Sequence, residues 1–185
     1  YVGFHAGTTE TGSNILGLEE AVKLAEGKPL HIAHINAYCR GMIDEPLTEL
    51  QIAMKLLKKS PNIISESHLA PYNGCDGRID KNGLPMSHVT RNCLRAGGYE
   101  VSKEGLEKAM LDGYAGVYAL VGSEMTYLFG EEAVKRWKEE KTVVGTCFPV
   151  NLRYSALVCA MEKDSSGEFV VDAISSDGGA IPRNF

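Results

Sequence analysis

Four polar residues stand where short strand-like runs end. They are His5 after Val-Gly-Phe, His34 in Leu-His-Ile-Ala-His, His68 after Ser-Glu-Ser, and Asp177 in Ser-Ser-Asp-Gly-Gly. Imidazole and carboxylate groups are common ligands of divalent transition metals. In an α/β barrel the carboxyl ends of the parallel strands open into one mouth, so side chains placed there can converge on one ion. These residue types, at these places, predict a metal centre.

The elements that must position these residues alternate between strand and helix. Strands are predicted at residues 2–5, 30–35 and 62–67, so strand starts recur at roughly thirty-residue intervals, the period of βαβ units in a parallel sheet. Two amphipathic helices are predicted between them from apolar residues at helical spacing. Their inward-facing residues are Leu18, Ala21, Val22 and Ala25 in the first helix, and Leu47, Leu50, Ala53, Met54 and Leu57 in the second.

The later part of the chain gives weaker periodic signals. Residues 70–98 are dense in Gly, Pro, Asn and Asp, which predicts a long loop. Helices are predicted from Lys103 to Asp112 and from Glu131 to Glu140, and a strand from Phe169 to Ser176. Val143 to Val150 and Leu157 to Met161 fit either a strand or a buried helix, because periodicity does not separate the two in short apolar runs.

Composition favours a soluble globular protein. Hydrophobic residues make up 44% of the chain, but no apolar run is long enough to cross a bilayer, so no membrane association is expected. The net charge of -5 provides no basic surface for nucleic acid. The five cysteines are odd in number and show no Cys-x-x-Cys spacing, which predicts reduced thiols and a cytoplasmic location.

Which histidines are candidate ligands depends on where each one lies on its predicted strand. His31 and His34 are three residues apart on one predicted strand and point to opposite faces, so only His34 is expected to reach the mouth and His31 is expected to be structural. A single histidine at a strand end is more often a core or loop residue. His5 and His34, however, lie one βα unit apart, which favours a shared metal. Asp172 is five residues before Asp177 and is expected to face the other side of its strand.

On these motifs the chain resembles the amidohydrolase superfamily, in particular its hydantoinase, dihydroorotase and D-aminoacylase branch. Phe-His-Ala-Gly-Thr at His5 is similar to the end of the family's strand five, and Leu-His-Ile-Ala-His-Ile-Asn at His34 to the end of strand six. Glu-Ser-His-Leu-Ala-Pro-Tyr-Asn, at 66–73, is similar to the exit of strand seven, and Asp177 to the aspartate that ends strand eight. The resemblance covers about residues 1–75 and 165–185.

The resemblance implies part of a TIM (β/α)8 barrel, about strands five to eight. The family's His-x-His pair of strand one and its bridging carboxylated lysine have no counterpart, since no His-x-His occurs in this chain. An eight-stranded barrel typically needs about 250 residues. We therefore expect residues 1–185 to form one partial barrel domain with a loop-rich and helical insertion at about 70–165. The missing strands are expected to come from a companion polypeptide or from segments absent here, so the active form would be a hetero-oligomer.

The resemblance also implies an activity. It implies a metal-dependent hydrolase of a C–N bond in a cyclic amide, imide, ureide or N-acyl amino acid, with His5, His34 and Asp177 as ligands and Asp177 as the general base for metal-activated water. Zinc is the expected ion, and manganese, iron or nickel also suit these ligands. A non-catalytic barrel subunit and a single-metal TIM-barrel lyase or isomerase are the alternatives. The expected contacts to a small amide-type substrate are Asn36, Tyr38, Arg40, Tyr72 and Asn73.

Overall fold

A computed structural model describes residues 3–7, 12–141 and 145–175. The described chain divides into two compact units. The first comprises the described residues up to Ala70 and from Asn151 onward, and the second comprises Pro71–Val150. Within the described ranges, no helix has the length and apolar character needed to cross a bilayer.

The first unit is built from alternating strands and helices, with one strand and one helix added from the carboxyl-terminal segment. Its elements are β1 (Gly3–Phe4), α1 (Ile15–Leu24), β2 (Leu30–Ile32), a 3-10 helix (Ile35–Tyr38), α2 (Pro46–Lys58), β3 (Ile63–His68), α6 (Arg153–Met161) and β8 (Ala173–Ser175). The predicted βαβαβ order of the first 68 residues is therefore confirmed.

The four strands of the first unit form one parallel sheet in the order β1-β2-β3-β8. Gly3 lies opposite His31, and His68 lies opposite Ser175. Because the strands are parallel, their carboxyl ends meet at one edge of the sheet, and the residues that follow them are neighbours. The predicted α/β class is confirmed at this level. The described residues form no closed barrel, since β1 and β8 are the edges of an open sheet.

The helices pack on one face of this sheet, where Ile32 and Ile63 join their apolar residues in a buried core. The cap of α1 is the side chain of Asn14, which accepts a hydrogen bond from Gly17 N at 3.0 Å. Gly17 also allows a close approach, because a Cβ there would lie 2.8 Å from the backbone nitrogen of Gly7. The predicted apolar face of α2 is buried except at its start, where Leu47 is exposed.

The opposite face of the parallel sheet has a different character. Side chains alternate along a strand, so the face away from Ile63 carries Ile64, Glu66 and His68 on β3. Gly3 on β1 and Ala173 on β8 share this face, and both are exposed. The sheet is thus apolar and covered by helices on one side, and partly open with titratable groups on the other.

The second unit contains an antiparallel sheet with three helices. Its elements are β4 (Asn73–Asp76), α3 (His88–Ala96), α4 (Lys103–Leu111), β5 (Gly116–Val121), β6 (Glu124–Leu128), α5 (Gly130–Glu139) and β7 (Gly145–Phe148), and its strand order is β4-β7-β5-β6. The helices and the sheet enclose a second core around Trp137, whose indole nitrogen donates to Gly77 O at 2.9 Å. The prediction of α4 and α5 is confirmed.

Two segments differ from the sequence-based expectation, at 70–98 and at 169–176. The long loop predicted at 70–98 contains β4 and α3, and α3 is capped by Ser87, whose hydroxyl accepts from Thr90 N at 3.3 Å. The two ambiguous runs separate into β7 and α6. The strand predicted from Phe169 is described only at Ala173–Ser175, because the preceding chain forms a turn closed by the pairing of Lys163 with Phe169.

Candidate metal centre

The structure brings together the two histidines that the strand ends predict. His5 follows β1 and His34 follows β2, and both lie in the first unit. Nδ1 of His5 is 2.6 Å from Nε2 of His34, and the ring centroids are 4.5 Å apart. His5 is exposed while His34 is 8% exposed. Two imidazole nitrogens therefore face each other at the carboxyl edge of the parallel sheet.

His34 reaches this position through an uncommon backbone conformation. Its φ of 42° and ψ of 61° are left-handed, a region that non-glycine residues enter at a cost of about 1–3 kcal/mol. It lies beyond β2, which ends at Ile32, so strand alternation does not set the direction of its side chain. Its carbonyl accepts from Ala37 N at 2.8 Å and begins the 3-10 helix.

Glu66 on β3 contacts the segment that carries His34. Its Oε1 accepts a hydrogen bond from His34 N at 2.8 Å, and its Oε2 contacts Nε2 of His31. His31, which is expected to be structural, thus has Glu66 as its partner. Glu66 is absent from the sequence-based set of site residues. Its signal in the sequence is its position on the strand, since it shares a face with His68 and comes directly after Ser65, the last residue of β3 that pairs with β2.

His68 and Asn36 fix the end of β3. The side-chain amide of Asn36 donates to His68 O at 3.0 Å, and its Oδ1 accepts from His68 N at 3.0 Å. Asn36 is 1% exposed, so this amide acts as a short continuation of the sheet. The His68 ring lies edge-on to the His34 ring with centroids 5.9 Å apart. Asn36 is therefore buried within the first unit, where its amide holds the backbone of His68, whose ring lies beside that of His34.

Tyr38 and Arg40, two further expected substrate contacts, have partners within the first unit. Tyr38 is fully buried, stacks on His34 at 5.8 Å, and its hydroxyl accepts from Ala6 N at 3.0 Å. Burial raises the pKa of Tyr38 to about 12. Arg40 donates through Nε to Asn151 Oδ1 at 3.0 Å. Contact of either residue with a substrate stays a prediction.

Tyr72 and Asn73 belong to the second unit. Tyr72 packs against Tyr127 and Phe129, with ring centroids 5.3 and 5.7 Å apart, and Asn73 begins β4. Their expected part in binding a substrate stays a prediction.

Asp177, the expected carboxylate ligand and general base, lies outside the described residues. Asp172, before β8, pairs with β3: its Oδ2 accepts from Ser65 N at 2.9 Å and its own N donates to Ser65 O at 3.0 Å. These bonds fix the start of β8 and account for Asp172 structurally. Ser175, the last described residue of β8, lies opposite His68 on β3.

The residue types suit two positions of a zinc site, but the 2.6 Å between the two nitrogens is a hydrogen-bond distance, and two ligands of one tetrahedral zinc ion lie about 3.3 Å apart. Neutral imidazole nitrogens are zinc ligands, and here two of them converge. Within residues 3–7, 12–141 and 145–175, no group of three or more His, Cys, Asp or Glu is arranged to hold a metal. The described part of the chain therefore supplies one pair of facing imidazole nitrogens and no complete set of metal ligands.

Replacement of Asn36 by alanine tests the support beneath the site. The variant leaves the N–H and C=O of His68 without their side-chain partner in a buried setting, so we expect a loss of about 2–4 kcal/mol in the free energy of unfolding. Urea denaturation followed by circular dichroism measures this loss. The control is Asn62→Ala, which removes a bond from Nδ2 to Lys28 O in an exposed place and should cost less than about 1 kcal/mol. Equal losses of unfolding free energy in both variants would contradict the role of Asn36 in holding the end of β3.

Comparison of the chain with protein-family models, with curated protein sequences and with solved structures found no significant match to any of them.

Proposed function

We propose that this chain is part of a metal-dependent hydrolase that cleaves a C–N bond in a cyclic amide, imide, ureide or N-acyl amino acid. The observation that carries the proposal is the convergence of His5 and His34, which follow neighbouring parallel strands, with their ring nitrogens 2.6 Å apart. The substrate class rests on the resemblance of the strand-end motifs to amidohydrolases.

The arrangement of the strands adds support. The resemblance relates β1, β2, β3 and β8 to strands five to eight of a barrel, which requires them to be parallel and in that order. The sheet has this order and direction. Its partly open face carries His31, Glu66 and His68, and its other face is covered by helices. Helices over the outer face of a parallel sheet are expected of a barrel segment, whereas a barrel interior is mostly filled by branched apolar side chains, so it is the helix-covered face that supports the assignment.

The proposed roles follow from the chemistry of each group. His5 and His34, in their neutral forms, would hold a divalent ion, with zinc expected and manganese, iron or nickel also suited. When bound, such an ion lowers the pKa of a coordinated water and polarises the scissile carbonyl. Asp177 would take a proton from the attacking water as general base and return it to the leaving nitrogen as general acid.

The open sheet supports the proposal of a companion polypeptide. All-parallel sheets normally have both faces covered and their edges protected. Here β1 and β8 are sheet edges, and Phe4 and Ile174 on these strands are exposed to 40% and 58%. A partner that supplies further parallel strands would pair both edges and cover the polar face.

Metal binding is the first test. We expect the chain to bind Co²⁺ or Zn²⁺, and His5→Ala and His34→Ala each to weaken the affinity at least tenfold, because each removes one of the paired donors. Equilibrium dialysis with metal analysis measures the stoichiometry and affinity. His88→Ala, which changes an exposed histidine at the start of α3, is the matched control and should bind as the wild type does. A wild-type chain without metal affinity would instead favour the non-catalytic subunit.

The second test concerns the two aspartates near the end of the chain. In the active assembly, Asp177→Asn should lower kcat about a hundredfold or more with KM nearly unchanged, since a general base acts in the chemical step. Asp172→Asn should affect mainly stability, because Asp172 bonds the backbone of Ser65. Steady-state kinetics on N-acyl amino acids and cyclic ureides measures both variants. Normal turnover by Asp177→Asn, with an inactive Asp172→Asn, would assign the base to Asp172.

The third test concerns assembly. We expect the 20.1 kDa chain, purified alone, to self-associate, because its sheet edges and open face expose backbone and apolar groups. Size-exclusion chromatography with light scattering should then give masses well above that of the monomer. Charged substitutions at the edges, Phe4→Lys with Ile174→Lys, should shift the distribution towards monomer. A sharp monomeric peak for the wild type at all concentrations would contradict the need for a companion.

A further inference from the structure

Glu66 touches two parts of the segment that carries His34. One carboxylate oxygen accepts the backbone N–H of His34 at 2.8 Å, and the other contacts Nε2 of His31. The side chain is 14% exposed, so water competes little for the same oxygens. The two contacts span the His-Ile-Ala-His segment, from His31 in the middle of β2 to His34, the residue before the 3-10 helix.

The backbone N–H group of His34 is the point at which Glu66 can influence the position of the His34 ring. With φ at 42°, the residue lies in a region where the chain reverses direction, and a return to an extended or right-handed φ would swing the side chain away from His5. The bond to Glu66 holds the peptide plane that precedes His34, and so fixes the Cα from which the ring projects towards His5. We expect loss of this acceptor to let this peptide plane move, and with it the ring that lies 2.6 Å from Nδ1 of His5.

The carboxylate is itself held in place. His31 binds one oxygen from the side of β2, and the neighbouring strand leaves room for the imidazole, because Gly3 lacks a side chain there. A Cβ at Gly3 would lie 3.3 Å from Nδ1 of His31. Gly3 and His31 thus lie opposite each other on β1 and β2, and Glu66 lies on the same face of β3, two residues beyond Ile64, which is opposite His31.

We propose that Glu66, oriented by His31, is a positioning residue that fixes the imidazole of His34 towards His5 and thereby sets the divalent-metal affinity of the pair. The inference rests on the proposed function in so far as the pair binds a metal. The positioning itself is a property of the metal-free chain. Glu66 acts through the backbone of His34 and makes no contact with the ion or the substrate.

Three variants separate positioning from ordinary structural support. Glu66→Ala removes both contacts, and Glu66→Gln keeps an oxygen that can accept the His34 N–H. Glu49→Gln is the matched control: this buried carboxylate likewise accepts backbone N–H groups, those of Gly41, Ile43 and Asp44 at 2.7–3.1 Å, but in the loop that follows the 3-10 helix and not at His34. If Glu66 has only a structural role, its replacement should affect metal affinity no more than replacement of Glu49 does.

Two readouts on the full chain test the proposal. Co²⁺ titration should show a 10–100-fold weaker affinity for Glu66→Ala, a smaller loss for Glu66→Gln, and wild-type affinity for Glu49→Gln even where that variant melts earlier. In metal-free protein labelled with ¹⁵N-histidine, NMR spectra should show shifted ring signals of His5 and His34 in Glu66→Ala and unshifted ones in Glu49→Gln.

The outcomes distinguish this inference from the proposed function. A wild type that binds no Co²⁺ contradicts the proposed metal site, and the ring signals then decide the role of Glu66 alone. Wild-type affinity and unshifted ring signals in Glu66→Ala would overturn the positioning role. If Glu66→Ala does not fold, Glu66→Met decides, because it has a similar volume and cannot accept the His34 N–H: an affinity and ring signals unchanged from the wild type would likewise overturn it.

Discussion

The left-handed backbone of His34 determines where its imidazole points, and the rest of the site depends on it. The conformation costs about 1–3 kcal/mol. A hydrogen bond to a charged acceptor contributes about 1.5–3 kcal/mol, so the bond from His34 N to Glu66 is of the size needed to offset the strain. The bond from Ala37 N to the His34 carbonyl holds the other end of the residue. Backbone strain and its compensation thus meet at the residue whose ring contacts His5.

The parallel sheet brings the residues around His34 together. Pairing of β1 with β2 brings the segments after Phe4 and Ile32 side by side, and pairing of β2 with β3 brings Glu66 within reach of both histidines of the His-Ile-Ala-His segment. Asn36 continues the sheet with its side-chain amide and fixes His68. Tyr38 supports the His34 ring by stacking and bonds Ala6, the residue after His5. Each support lies next to a strand end.

Much of this arrangement could be predicted from the sequence, because regular periodicity reports on local structure. The apolar spacing predicts α1 and α2, and the short apolar runs between them predict β1, β2 and β3. Parallel strands then bring His5 and His34 together. The direction of His34 could not be predicted, because it depends on a positive φ that no spacing encodes. Glu66 looks like an ordinary polar residue in a strand until the register of β3 against β2 is known.

The loops were harder to predict for a related reason. Asn36 and Tyr38 follow a strand and read as open loop residues, yet the 3-10 helix that they form is buried. Four residues are too few to show a period, and their burial comes from contacts with β3 and with Ala6. The turn-rich composition of 70–98 similarly conceals α3, whose nine residues depend on the Ser87 cap and on packing in the second core.

The central claim is that His5 and His34 bind one divalent ion. X-ray absorption spectroscopy at the zinc edge, on the full chain loaded with one equivalent of Zn²⁺, tests it most directly, because imidazole rings give a characteristic outer-shell scattering pattern. The account predicts two imidazole nitrogens at about 2.0–2.1 Å from the ion in the wild type and one in His34→Ala. A spectrum with only oxygen scatterers, or one that His34→Ala leaves unchanged, would contradict it.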